Sequence, residues 1–133
     1  AKFEREQKDK FRFSDDVKGG WKRQPGMPES WNIQYPLQDK TLTLRLALTS
    51  FGHVGIFPEQ GNNWNFIYET VSTWKNKQAK VLNLFAYTGA ASVVARLAGA
   101  TVTHVDASRP GINWANQNMQ LNNTSDIRWV YED

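Results

Sequence analysis

Along residues 41–49, TLTLRLALT alternates strictly: Leu42, Leu44, Leu46 and Leu48 share one face, and Thr41, Thr43, Arg45, Ala47 and Thr49 the other. A period of two over this length predicts a strand with one buried face. WNIQY precedes it, and the glycine turn SFGHVG followed by IF comes after, so residues 31–57 read as a small antiparallel unit. The rhythm then becomes helical. Trp64, Ile67, Tyr68, Val71 and Trp74 predict a helix over residues 63–76, capped by Asn62 or Asn63 and closed by Lys75 and Lys77 at its negative end. Its aromatic stripe reads as core packing rather than as a ligand platform.

Residues 81–85, VLNLF, are almost continuously apolar, as a strand buried on both faces of a parallel sheet would be. A helix over 90–98 ended by Gly99, a strand over 101–106, a helix over 110–121 opened by Ser108 and closed by NNTS, and the strand IRWVY follow. The order is βαβαβ, which right-handed crossovers fold into half of a doubly wound parallel sheet, so the class is α/β. The loop GGWKRQPGMPES, residues 19–30, marks a soft boundary. Three segments result: a basic arm and loop over 1–30, the antiparallel unit over 31–62, and the parallel half-domain over 63–133.

At 133 residues, with 40% hydrophobic and 13% aromatic positions, the chain suits one core with an appendage. The absence of cysteine excludes a disulfide framework, a thiolate metal site and a cysteine nucleophile within it, and no metal centre is expected. No apolar run approaches the roughly 20 residues that span a bilayer, and AKFEREQKDK lacks the apolar core of a signal peptide, so the reading is a soluble cytoplasmic protein. The net charge of +3 is carried by residues 1–25, which hold eight basic and five acidic side chains and leave eight of each elsewhere. With Phe11, Phe13 and Trp21 interleaved, this segment suits either a nucleic-acid surface or a solvated arm.

In doubly wound sheets ligands bind beyond the carboxyl ends of the strands, here the turn after Phe85, Asp106, and Glu132 with Asp133. A dinucleotide loop needs glycines at G-x-G-x-x-G for close approach of a pyrophosphate, and only Gly89 is present. Asp106 ends the neighbouring strand, where a carboxylate accepts both hydroxyls of a ribose. Together these favour a nucleoside whose 5′ substituent is not phosphate.

The stretch VLNLFAYTGAASVVARLAGATVTHVDAS, residues 81–108, resembles the cofactor-binding core of class I S-adenosylmethionine-dependent methyltransferases, in the branch that includes large-subunit ribosomal RNA methyltransferases. Against the general pattern VLDLGCGTG, Asn83 stands for the aspartate, Phe85 and Tyr87 for the first two glycines, and Gly89 keeps the third. GIFPEQGNNW (55–64), WANQNMQLN (114–122) and IRWVYED extend the resemblance to residues 19–133. It implies a Rossmann-like half of a methyltransferase fold, S-adenosyl-L-methionine as cofactor, and an RNA base as methyl acceptor.

The binding set implied by the resemblance is Pro58, Gln60, Asn83, Phe85, Ala86, Tyr87, Thr88, Gly89, Ala90, Asp106, Ala107, Ser108 and Asp133. Residues 86–91 would approach the methionine moiety, Asn83 its amino or carboxyl group, Asp106 the ribose and Asp133 the adenine amino group. No catalytic residue is assigned. His53 and His104 read as structural, with no carboxylate or hydroxyl partner at a diagnostic spacing.

A complete fold of this family would continue into a fourth strand bearing the acceptor motif, so the expectation is the front part of a longer enzyme. The strand over 81–85 is then left with an unpaired edge, open to a second copy. Two other readings stand beside this one. An NAD-dependent oxidoreductase shares the fold and Asp106 but lacks the glycine spacing, and a non-catalytic RNA-binding module would rest on the basic arm.

Overall fold

The computed structural model describes residues 12–13, 21–50, 52–74 and 77–132. Strand β1, Arg12–Phe13, pairs antiparallel with β2, Trp21–Lys22; the rest of the basic arm, residues 1–11 and 14–20, lies outside the described residues.

The alternating stretch forms β4, Thr41–Ala47, antiparallel to β3, Ser30–Pro36, through a turn closed by Leu37 N–H donating to Lys40 O at 2.9 Å. Ile33 lies opposite Leu44 and Tyr35 opposite Leu42. Leu42, Leu44 and Leu46 are fully buried, as their shared face requires, and join one apolar cluster with Trp64, Tyr68, Val93, Val94 and Val102. The IF segment makes no strand; Ala47 N–H instead donates to Val54 O, and a short 3₁₀ turn, Pro58–Gln60, follows.

Helix α1, Gly61–Ser72, begins earlier and ends earlier than its apolar period indicates. Its N-cap is Gln60, and neither Asn62 nor Asn63 caps it; Asn63 Nδ2 donates to Gln60 Oε1 at 2.7 Å. Trp64, Tyr68 and Val71 are buried, whereas Trp74 lies past the helix end and is half exposed. Lys75 lies outside the described residues, and Lys77 is beyond the last turn.

Strands β5, Lys80–Leu84, β6, Thr101–Asp106, and β7, Ile127–Tyr131, form a parallel sheet in the order β5-β6-β7. Helices α2, Ala90–Leu97, and α3, Arg109–Leu121, connect them. They touch each other as well as the sheet, so both crossovers fall on one face. This corrects the expectation for β5. Val81 and Asn83 turn toward the helices, while Leu82 and Leu84, on the opposite pleat, are 62% and 55% exposed. Among the described residues no helix is long and apolar enough to cross a membrane.

Candidate functional site

The turn leaving β5 alternates in backbone hand: Phe85 has φ +53°, Tyr87 φ +54° and Gly89 φ +83°. Left-handed φ is the conformation for which glycine is used, so the loop keeps a glycine-type path with side chains at two of its three positions. Hydrogen bonds offset that strain. Ala86 N–H donates to Val105 O at 3.1 Å, Gly89 N–H to Ala86 O at 3.0 Å, and Tyr87 N–H to Asp106 Oδ2 at 2.8 Å.

Within this turn the side chains diverge. Phe85 is 93% exposed, Ala86 and Thr88 are buried, and the Thr88 hydroxyl donates to Gly55 O. Tyr87 packs against Phe57 with centroids 5.0 Å apart, and His53 meets the edge of the same Phe57 ring. Burial raises the Tyr87 phenol above its ordinary pKa, opposed by the Gly55 backbone.

Asp106, the last residue of β6, is half-buried and serves two elements at once. Oδ2 takes Tyr87 N–H, and Oδ1 takes Ser108 N–H at 2.9 Å. Ala107 is exposed, and Ser108 caps α3 by accepting Gly111 N–H at 3.1 Å. Gly89 is the N-cap of α2 and Ala90 its first residue, with no side-chain cap, so the first-turn N–H groups and the helix dipole are left to favour an anion. A Cβ on Gly89 would lie 2.7 Å from Ala115 Cβ, so the loop sits directly on α3.

Beneath the loop runs a buried polar chain. Asn83 Nδ2 donates to Ser92 Oγ at 2.9 Å, and Ser92 Oγ lies 2.9 Å from His104 Nδ1. Ser92 Oγ can donate to Nδ1 or accept from it, and among the described residues His104 Nε2 is the buried side-chain atom with no hydrogen-bond partner. His104 lies inside β6 and has a hydroxyl partner that sequence spacing does not show. Burial lowers its pKa, against the opposing pull of Asp106 and the Tyr87 backbone.

The remaining sequence-predicted residues are more peripheral. Pro58 and Gln60 form the 3₁₀ turn after Phe57, with the Gln60 side chain exposed; Phe57 is the residue that packs on the loop. Asp133 lies outside the described residues, while Glu132 N–H donates to Asp106 O at 3.1 Å, bringing the end of β7 to the same rim. There Arg109 stacks over Tyr131, 4.4 Å from its centroid. Sequence reasoning missed Gly55, Trp114 and Asn118. Gly55 has φ +104°, and a Cβ there would meet the Trp114 ring at 2.3 Å. The one available signal was the spacing of Trp114, Asn118 and Asn122, which puts all three on a single helix face.

No protein-family model matches the chain. The S-adenosylmethionine-dependent methyltransferase structure from Agrobacterium tumefaciens superposes with a TM-score of 0.81 and 40% identity, over 98% of this chain. By fold and sequence, the chain resembles the class I S-adenosylmethionine-dependent methyltransferases. Ribosomal RNA large subunit methyltransferase K/L of Shewanella frigidimarina is 40% identical over 88 residues, 65% of the chain. A methyltransferase structure from Streptococcus mutans, at 24% identity and TM-score 0.65, shares the fold over 85% of it. The chain spans 41% of the Agrobacterium structure and 12% of the Shewanella methyltransferase.

Proposed function

We propose that the chain is the cofactor-binding part of an S-adenosylmethionine-dependent methyltransferase acting on RNA, with a ribosomal RNA base as acceptor and the cytoplasm as its location. The observation that carries this reading is the meeting of the left-handed loop 85–89 with Asp106 at the strand tips, in a chain similar to proteins named for that reaction.

The residues present fit such a ligand. Each Asp106 oxygen keeps an acceptor site beyond its backbone bond, enough for a ribose diol. The first turn of α2 favours the methionine carboxylate. Asn83 gives an amide proton to Ser92, so its carbonyl oxygen is the atom left for the ligand's ammonium. Asp133 is assigned to the adenine amino group by resemblance alone. When bound, the cofactor supplies an activated methyl group on a sulfonium, and the chain's own task is to bind and orient it.

Calorimetry tests the reading. S-adenosylhomocysteine should bind with one-to-one stoichiometry and be displaced by S-adenosylmethionine, while NAD should not compete. Binding of NAD without S-adenosylhomocysteine would replace this reading with an oxidoreductase. RNA affinity that falls with salt in the absence of any cofactor binding would replace it with a plain RNA-binding module.

The 133-residue chain alone is further proposed to form a homodimer through the outer edge of β5, which among the described residues ends the sheet and carries the exposed Leu82 and Leu84. Sedimentation should give a concentration-dependent dimer that Leu82→Lys abolishes. A monomer at every concentration would refute it.

A further inference from the structure

The row formed by Trp114, Asn118 and Asn122 performs a task that the cofactor assignment does not use. Among the described residues β3 is the one strand neighbour of β4, and the other edge of β4 lies against α3. There Asn122 pairs with both backbone groups of Thr43, accepting its N–H at 2.8 Å and donating to its C=O at 2.7 Å. Arg45 is served the same way by two residues: its N–H donates to Asn118 Oδ1 at 2.8 Å, and its C=O accepts from Trp114 Nε1 at 2.9 Å. The spacing explains the fit. Four residues of helix advance about 6 Å, and two residues of antiparallel strand about 6.8 Å, so Asn118 and Asn122 meet the alternate strand residues Arg45 and Thr43, while Trp114, one turn earlier, reaches the other backbone group of Arg45. A helix face stands in for the missing strand.

Asn118 is the member with a second arm. Its Nδ2 donates to Thr88 O at 2.8 Å, and the side chain is fully buried. The N–H of the same Thr88–Gly89 peptide is held by Ala86 O at 3.0 Å. The peptide plane at the N-cap of α2 is thus fixed at both ends, one of them through a residue that also grips the hairpin. The Thr88 hydroxyl adds a parallel tie to Gly55 O.

We propose that Asn118 is a positioning residue that locks the loop 85–89 to the β3–β4 hairpin, making the hairpin part of the cofactor site's rigid frame. The consequence for ligand binding rests on the proposed function; the mechanical coupling does not.

Two matched variants separate the roles. Asn118→Ala removes the bonds to Arg45 and Thr88. Asn122→Ala removes the two bonds to Thr43 and the bond Asn122 gives Asn118 O at 2.7 Å, all away from the loop. In ligand-free protein, Asn118→Ala should raise hydrogen exchange of the Gly89 and Arg45 amides at least tenfold, and Asn122→Ala should raise Thr43 exchange while leaving Gly89 within twofold. S-adenosylhomocysteine affinity should fall tenfold or more in the first variant and less than twofold in the second.

Equal effects of the two variants on Gly89 exchange would overturn the proposal. Loss of affinity alone, without faster loop exchange, would also overturn it. Failure of the wild type to bind the ligand would refute the proposed function and leave the exchange result to judge the coupling. If Asn118→Ala does not fold, the wild type itself decides. Under mild denaturant the Gly89 and Arg45 amides should open as one cooperative unit, and separate openings would refute the lock.

Discussion

Asp106 accepts the backbone N–H of Tyr87 at 2.8 Å, so the end of β6 holds the turn that leaves β5. Its other oxygen holds Ser108 at the start of α3. Asp106→Ala would free both amides, and a hydrogen bond to a charged acceptor contributes about 1.5–3 kcal/mol. Asp106→Asn keeps one acceptor oxygen, so urea midpoints should order wild type, then Asn, then Ala. S-adenosylhomocysteine affinity, read by calorimetry, should drop at least tenfold in both variants, because asparagine offers a ribose diol one acceptor oxygen in place of two and alanine offers none.

Gly89→Ala should destabilise through two independent causes. An L-residue at φ +83° pays the left-handed penalty, roughly 1–2 kcal/mol, and the new methyl would stand 2.7 Å from Ala115 Cβ. Overpacking of this kind costs about 1–3 kcal/mol more. Chemical denaturation should show the sum; Ala115→Gly in the same chain should recover part of the overpacking and none of the backbone penalty.

Phe85 gives the opposite sign. It is 93% exposed with φ +53°, so its ring gains little from packing while its backbone is strained. Phe85→Gly should raise stability by about 1 kcal/mol or leave it unchanged as the flexible unfolded chain offsets the relief. A loss above 1 kcal/mol in the thermal or urea transition would show that the exposed ring is held by contacts of its own.

The pH dependence of stability should carry the mark of His104. Burial places its folded pKa below the ordinary 6.5, so the folded state binds fewer protons than the unfolded one. Its contribution is therefore complete above about pH 6.5 and declines as the pH falls from there toward the folded pKa. Urea midpoints between about pH 7.5 and 5.5 should fall in the wild type, and His104→Gln should flatten that slope. An unchanged slope in the variant would assign the decline elsewhere.

Much of the fold was legible because its signals are local. The leucine alternation of residues 41–49 placed the buried face of β4, Ser108 and Gly99 marked helix ends, and residues 101–106 matched β6 to the residue. The parallel sense of the sheet followed from the βαβαβ succession of elements. The errors have physical causes of another range. The apolar run of β5 reads as doubly buried, but two crossovers on one face leave Leu82 and Leu84 uncovered. The helical period carried Trp74 into α1, although the helix ends at Ser72.

At the candidate site the same division holds. The sequence alone determined that Asp106 would end a strand beside the loop and that Phe85 and Tyr87 would stand where glycines are usual, because each depends on neighbours a few positions away. Only the tertiary structure decided that those two residues adopt the glycine conformation, that Ser92 partners His104, and that Asn118 joins Arg45 and Thr88, 73 and 30 residues distant. A buried polar group is satisfied by whichever partner the packing brings to it, and that choice has no period along the chain.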